Sequence, residues 1–412
     1  MVQGRRHAMR VILATLLLCT AFSAAQAETE PLAETLARGK ALTIAGDCGG
    51  CHTADPAKPL AGGKRIDTPF GAIYSPNLTP DRETGLGAWS DDDFVRAFRY
   101  GMAPDGSHYY PAFPYPYFTK LTRQDLTAIR TYLATLAPVR TTLPPSQLHW
   151  PLNYRVLMRA WNYFFFRPGI FEPNQQKSAE WNRGGYLVTA AAHCGACHTP
   201  KNLFGAARQS QAFGGRTVGG WFAPRLDGAE RSGLKSWSVD DIVEYLASGR
   251  NGKSHVNGPM AGVVVNSTSQ MSDADIRAIA VYLKDLPAGE PEPAVSPPPP
   301  APAEMAAGKA LYDRACVACH EADGSGAPRI YPPLPGNANL QSADPASTLR
   351  IILDGAQTVT TPRAPNKGSM PGYARQWSDQ EIADVTNYIR NSWGNAAPLV
   401  SPAQVAKARK ER

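Results

Sequence analysis

Hydrophobic positions recur at helical spacing in short stretches along the chain, and the stretches come in pairs. Leu32, Leu36 and Ala37 share one face of a helix expected over 32–44, and an amphipathic run over 126–133 closes the same unit. Gly184-Gly185-Tyr186-Leu187-Val188 opens a second unit that 274–286 closes, and Gly308-Lys309-Ala310-Leu311 opens a third that 382–389 closes. Each closing run carries a tyrosine, Tyr132, Tyr282 or Tyr388. Gly39, Gly185 and Gly308 stand nine, nine and eight residues ahead of Cys48, Cys194 and Cys316. A glycine at that place lets two helices cross closely, with the tyrosine filling the space opposite. The pattern predicts a mainly α chain of three similar units in tandem, joined by loop-rich connections.

Units one and two share more. Gly85-Leu86-Gly87-Ala88-Trp89-Ser90-Asp91-Asp92-Asp93 parallels Gly233-Leu234-Lys235-Ser236-Trp237-Ser238-Val239-Asp240-Asp241. Ser90 and Ser238 read as helix N-caps, each with an acidic residue three positions on. Core packing is the expected role of Trp89 and Trp237, with a polar contact to a bound group as the alternative.

Between these units, 144–177 holds the aromatic and apolar runs 150–158 and 161–166 but is broken by Arg159 and Arg167 and is too short to span a bilayer. It reads as an inter-unit packing helix or as an interfacial or partner-binding surface. Pro297-Pro298-Pro299-Pro300 marks a semi-rigid polyproline spacer before unit three, which implies a third unit held out from the other two. At the N-terminus, Arg5, Arg6 and Arg10 precede an apolar run and Ala25-Gln26-Ala27, the layout of a secretory signal. The expected division is 1–27 signal peptide, 28–143 first unit, 144–177 connecting segment, 178–287 second unit, 288–303 Pro-rich linker, 304–395 third unit and 396–412 basic tail.

Cysteine usage gives the units their chemistry. Of seven cysteines in 412 residues, six fall in Cys48-Gly49-Gly50-Cys51-His52, Cys194-Gly195-Ala196-Cys197-His198 and Cys316-Val317-Ala318-Cys319-His320, and the seventh, Cys19, lies in the expected signal. Cys-x-x-Cys-His is the attachment pattern of a c-type haem. Both thiols bind the vinyl groups, and His52, His198 or His320 is the iron's proximal ligand. One copy alone could be a zinc half-site or a redox dithiol; three copies that absorb the cysteines point to three covalently bound haem c groups and class I cytochrome c-like domains. Export agrees with this, because covalent haem attachment in bacteria happens outside the cytoplasmic membrane.

Charge adds little. The net +7 falls to +4 without the three arginines of the signal, and the tail holds Lys407, Arg409, Lys410 and Arg412 against Glu411. The remaining body is close to neutral, which gives no argument for nucleic acid as a partner. The tail reads as a solvated, frayed end or as a contact to an anionic membrane.

A methionine on the sixth iron position suits electron transfer and leaves no open site. Met260 in Gly258-Pro259-Met260-Ala261 and Met370 in Ser369-Met370-Pro371-Gly372 both precede a closing helix, with Met271 a rival in unit two. Unit one does not comply: Phe113 stands in the corresponding loop, Tyr110-Pro111-Ala112-Phe113-Pro114-Tyr115. Met102, fifty residues after His52 as Met370 is after His320, is favoured, with His108 as the other possibility. Haem one is therefore expected to differ in potential or spin state.

The strings Ser178-Ala179-Glu180-Trp181-Asn182-Arg183-Gly184, Cys194 to Pro200, Gly258-Pro259-Met260 with Asn266-Ser267-Thr268, Ile279-Ala280-Val281-Tyr282-Leu283 and Asn391-Ser392-Trp393-Gly394-Asn395 complete the picture. With them the chain resembles the three-haem cytochrome c subunit of bacterial membrane-bound dehydrogenases of the alcohol, gluconate and sorbitol type. The resemblance implies a separate catalytic subunit using pyrroloquinoline quinone or flavin. It also implies transfer of electrons to membrane ubiquinone, peripheral membrane association, and a place on the periplasmic face of the cytoplasmic membrane. Phe113 departs from the methionine common in that family, and Tyr-Pro-Ala-Phe-Pro-Tyr resembles cytochromes serving molybdenum hydroxylases. An electron-acceptor subunit of such a hydroxylase, a peroxidase-like enzyme at an open haem one and a free periplasmic shuttle are the alternatives. No nucleotide-binding glycine fingerprint or nucleophile motif marks a chemistry of the chain's own.

Overall fold

The computed structural model describes residues 30–289 and 300–411. The expected signal peptide, with Cys19, and most of the proline spacer lie outside the described residues. In each unit an opening helix crosses a closing helix: Leu32–Ala45 against Arg123–Ala134, Ala179–Tyr186 against Asp273–Lys284, and Pro302–Ala315 against Asp379–Arg390. A third helix completes each unit: Asp91–Tyr100, Val239–Ser248 and Ala346–Asp354. Ser90 and Ser238 cap their helices as expected, in capping boxes with Asp93 and Asp241, and Ser378 does the same with Glu381. Strands are few and short. Arg65–Thr68 and Gly71–Tyr74 of unit one form an antiparallel sheet with Gln147–Leu148 of the connecting segment, and Arg216–Val218 pairs with Trp221–Ala223 in unit two.

The crossing is as close as the glycines allow. A Cβ on Gly39 would lie 2.0 Å from the Ala128 carbonyl oxygen, one on Gly184 2.0 Å from that of Ala278, and one on Gly308 2.3 Å from that of Asp384. The β-carbons of Tyr132, Tyr282 and Tyr388 lie next to these points. In unit two the crossing residue is Gly184, one position before the Gly185 that the spacing suggested. The cause is local: Leu187–Ala191 forms a π-helical turn, which adds one residue to the run between glycine and cysteine.

Units one and two share one hydrophobic core. Leu42, Phe94, Leu126 and Ile129 belong to the same buried cluster as Leu187, Val188, Ile242 and Ile276, with Trp89 and Trp237 packed against it. Core packing is thus where both tryptophans are found. Across the junction the buried Tyr186 hydroxyl donates to the Asp125 carboxylate and accepts the Thr122 N–H at 3.1 Å.

Unit three has a core of its own, yet it is not held out. Ser347 Oγ accepts the Phe222 N–H at 2.8 Å, Arg250 donates to the Asn366 carbonyl at 3.2 Å, and Asn337 donates to the Lys253 carbonyl at 3.3 Å. Arg329 pairs with Glu244 and Arg363 with Asp273. The contacts are polar and dispersed, so no hydrophobic pattern announced them. The basic tail is likewise no frayed end. Pro402–Lys410 is a capped helix whose Val405 is fully buried in unit three's core, and Arg409 bonds Asp379 at 2.9 Å and the Trp377 carbonyl at 3.1 Å.

The connecting segment packs one face and exposes the other. Helix Leu157–Phe165 buries Met158, and its Asn162 accepts the Tyr115 hydroxyl at 2.5 Å. Trp150, Tyr163 and Phe164 stand in solvent at 79%, 73% and 67% exposure, next to the exposed Phe204 stacked on Phe165. Among the described residues no helix is long and apolar enough to cross a membrane.

Candidate haem centres

Each Cys-x-x-Cys-His run forms a single helical turn directly after the opening helix: Cys48–His52, Gly195–His198 and Val317–His320. The turn brings both thiols to one side and the histidine beside them. In unit one Asp47, at φ 46°, caps it by accepting the Gly50 N–H at 3.2 Å, and burial pushes the Asp47 carboxyl up to about 6. None of the six cysteines is in a disulfide. Burial pushes the Cys48 and Cys194 thiols up to about 12 and Cys316 to about 11, so all three remain protonated at neutral pH. Among the described residues no three His, Cys, Asp or Glu side chains gather as a metal cluster.

The histidines decide what the turns can hold. His52 Nδ1 bonds the Pro76 carbonyl at 2.7 Å, His198 Nδ1 that of Pro224 at 2.7 Å, and His320 Nδ1 that of Pro332 at 3.2 Å. Burial lowers the pKa of all three, keeping the rings neutral. A neutral ring that donates from Nδ1 leaves the Nε2 lone pair free, the state an axial ligand needs. Two free thiols and one oriented imidazole, three times over, fit covalently bound haem with iron on Nε2. All three carbonyls belong to prolines, but these follow their histidines by 24, 26 and 12 residues, so no fixed spacing marks them and the loop that returns to each histidine shows only in three dimensions.

On the sixth-ligand side, Met260 lies in the first turn of helix Pro259–Asn266 and packs partly buried against the shared core. Gly258 before it is fixed at φ 59°, where a Cβ would fall 2.4 Å from the Trp221 ring. Met370 pairs with Ala356 in a short ladder and packs against unit three's core. Met271 is a buried core residue at the foot of the closing helix.

The sequence pattern that defines the cytochrome c family matches residues 36–137, 183–287 and 305–393. The chain belongs to the cytochrome c family. The alcohol dehydrogenase (quinone) cytochrome c subunit of Gluconacetobacter polyoxogenes is 39% identical over 90% of this chain and 83% of its own length. The gluconate 2-dehydrogenase cytochrome c subunit of Pantoea cypripedii is 37% identical over 98% and 96%. One of the nicotinate dehydrogenase subunits of Pseudomonas putida is 40% identical over 89% of this chain, which spans only 31% of that protein.

Within this cytochrome c the first two haem motifs lie near each other. Tyr117 of unit one packs on the unit-two motif, its ring 3.0 Å from where a Cβ on Gly195 would stand. Toward unit three the link is His255, a residue that sequence reasoning missed. It is buried, its Nε2 has no partner, and burial, with the nearby Arg250 and His320 charges, lowers its pKa to about 4.

Unit one superimposes on unit two by hydrogen-bond register. Gly101 and Gly249 cap equivalent helices with positive φ, and the Tyr109 and Val256 N–H groups return to their carbonyls at 2.7 and 2.8 Å. Met102 bridges His108 where Arg250 bridges His255. Four residues past each returning N–H stand Phe113 and Met260, both packed against the shared core.

Proposed function

We propose that this cytochrome carries electrons from a dehydrogenase catalytic subunit to the membrane quinone pool through three haem c groups. Cys48 and Cys51, Cys194 and Cys197, and Cys316 and Cys319 attach them; His52, His198 and His320 are the proximal ligands, and Met260 and Met370 the distal ligands of haems two and three. Bound haem supplies reversible one-electron chemistry. The chain's residues hold three neutral imidazoles in fixed tautomers, bury the ligand loops and keep the units in fixed contact. The observation that carries the reading is the repeated histidine-to-proline-carbonyl bond beside paired free thiols.

The partner is read as a quinoprotein or flavoprotein oxidising alcohols, sugars or sugar acids, because relatives covered over most of their own length include alcohol, gluconate and fructose dehydrogenase cytochrome subunits. A molybdenum hydroxylase partner or a peroxidase-like role is not favoured by them. The test is genetic and biochemical. Membranes of a strain lacking this chain should keep dye-linked dehydrogenase activity and lose ubiquinone-linked activity; retention of both overturns the proposal.

Quinone access requires a membrane face, and the exposed aromatic surface of the connecting segment fits an anionic lipid surface at the periplasmic side. Trp150, Tyr154, Tyr163 and Phe164 are exposed, Arg155, Arg159 and Arg167 lie among them, and no Asp or Glu occurs from Leu126 to Phe171. Aromatic rings at headgroup depth with flanking cations are the composition of peripheral membrane contacts. The holoprotein should float with phosphatidylglycerol vesicles and lose this when Trp150 and Phe164 are changed to Ser. Unchanged flotation of the variant, or capture by the dehydrogenase's catalytic chain that is lost instead, removes the assignment.

A further inference from the structure

We infer that haem one has no methionine or histidine on its sixth position and that its distal side takes a neutral diatomic ligand. The inference rests on the attachment reading above and goes beyond it. Phe113 occupies the chain position of Met260: it lies four residues past the N–H that returns to the helix-capping glycine, and it packs against the same core. A phenyl ring has no lone pair to offer iron.

The two rivals stand outside that register. Met102 follows the cap glycine directly, in the place of Arg250, whose guanidinium reaches out of its own unit to the Asn366 carbonyl. Unlike Phe113, Met260 and Met370, it is not among the residues packed against a core cluster. His108 Nδ1 accepts from the Asn162 amide at 3.1 Å, and Asn162 Oδ1 in turn accepts the Tyr115 hydroxyl at 2.5 Å. A neutral imidazole that accepts at Nδ1 carries its proton on Nε2, so neither nitrogen has a lone pair to spare. The sequence spacing that favoured Met102 counted residues from His52 and could not see that Phe113, not Met102, shares the register of Met260.

The walls fix the kind of ligand. Phe113 is held among Phe98, Tyr109, Phe118 and Tyr115, with ring centroids at 5.1, 5.6, 5.7 and 6.3 Å. Packed against four rings, Phe113 is not free to swing out and admit a distant methionine. Carbon monoxide or nitric oxide has no charge to desolvate against these aromatic walls and so loses little on entering. Haems two and three, closed by Met260 and Met370, offer no such site.

Carbon monoxide titration of the reduced, full-length holoprotein tests this, with the haem count measured by alkaline pyridine spectra. Three haems per chain and one carbon monoxide bound are expected, with a ferric high-spin signal from one haem in three. Phe113→Met should abolish both, while Met102→Ala and His108→Ala should leave both unchanged. Three haems with no carbon monoxide uptake overturns the inference alone, as does a wild type that binds none and a Met102→Ala or His108→Ala variant that binds one. Fewer than three haems overturns the attachment reading first. Should Phe113→Met not fold, the wild type and the other two variants still decide the matter.

Discussion

Gly184→Ala puts the helix crossing to a quantitative test. The added Cβ would lie 2.0 Å from the Ala278 carbonyl oxygen and 2.8 Å from the Tyr282 Cβ. Ordinary contact needs roughly 3.4 Å, so the helices must separate by more than an ångström, and the obstacle is backbone, which cannot rotate away. Overpacking of this kind costs about 1–3 kcal/mol or more. The helix gains about 1 kcal/mol when alanine replaces glycine, and the steric cost wins because both helices carry core residues on their other faces. A net loss of about 2 kcal/mol is expected, which corresponds to a fall of roughly 4–8 °C in the melting of the fused pair of units one and two. Gly185→Ala is the matched control. Its Cβ meets the Tyr282 ring at 2.9 Å, a side-chain edge that can tilt, so its loss should be smaller. Thermal melts of the holoproteins followed by circular dichroism make the comparison. A Gly184→Ala protein as stable as wild type, or less affected than Gly185→Ala, refutes the crossing argument.

Tyr186→Phe removes the donor to Asp125 and the acceptor of the Thr122 N–H at the buried junction of units one and two; a loss of about 1–3 kcal/mol in urea unfolding is expected. Truncation after Pro398 removes Val400 and Val405, both buried in unit three, and should cost roughly 3–6 kcal/mol of that unit's stability at about 1.5–3 kcal/mol per side chain. His255 titrates near 4 in the folded chain because burial holds it neutral. The unfolded chain takes up the proton first as pH falls below about 6.5, so stability should drop between pH 6.5 and pH 4, by up to about 3 kcal/mol. His255→Gln should flatten that slope in denaturation curves at pH 7 and pH 5, and an unchanged slope refutes the role. Met370→Ala should open haem three, adding one carbon monoxide per reduced chain; no added uptake refutes Met370 as its ligand.

What could be read from the sequence was whatever repeats with fixed local spacing. The three Cys-x-x-Cys-His runs, the capping serines and the tyrosines opposite the crossing glycines are all short-range patterns, and each is where the pattern put it. The misplacement at Gly185 has a one-residue cause, the π-turn at Leu187–Ala191, which no periodicity of 3.6 anticipates. The seat of unit three on unit two escaped for a different reason: Ser347, Arg250, Asn337 and Arg329 are ordinary surface residues until a partner surface meets them. The C-terminal helix was hidden by its charge, since Arg409 and Lys410 outweighed the single valine, Val405, that anchors it. The inference about haem one turned on a hydrogen-bond register, which pairs residues by place in the fold and not by count.

The continuous core beneath units one and two has a consequence for how the protein comes apart. Side chains from both units, Leu126 and Ile129 with Val188 and Ile276, belong to one cluster, so neither unit can lose its packing and leave the other intact. Unit three, with its own core and polar seat, is free of that obligation. In a calorimeter the three-fold repeat should therefore give two endotherms, the larger from the fused pair. A nascent chain would have to complete both of the first two units before either became resistant to proteolysis.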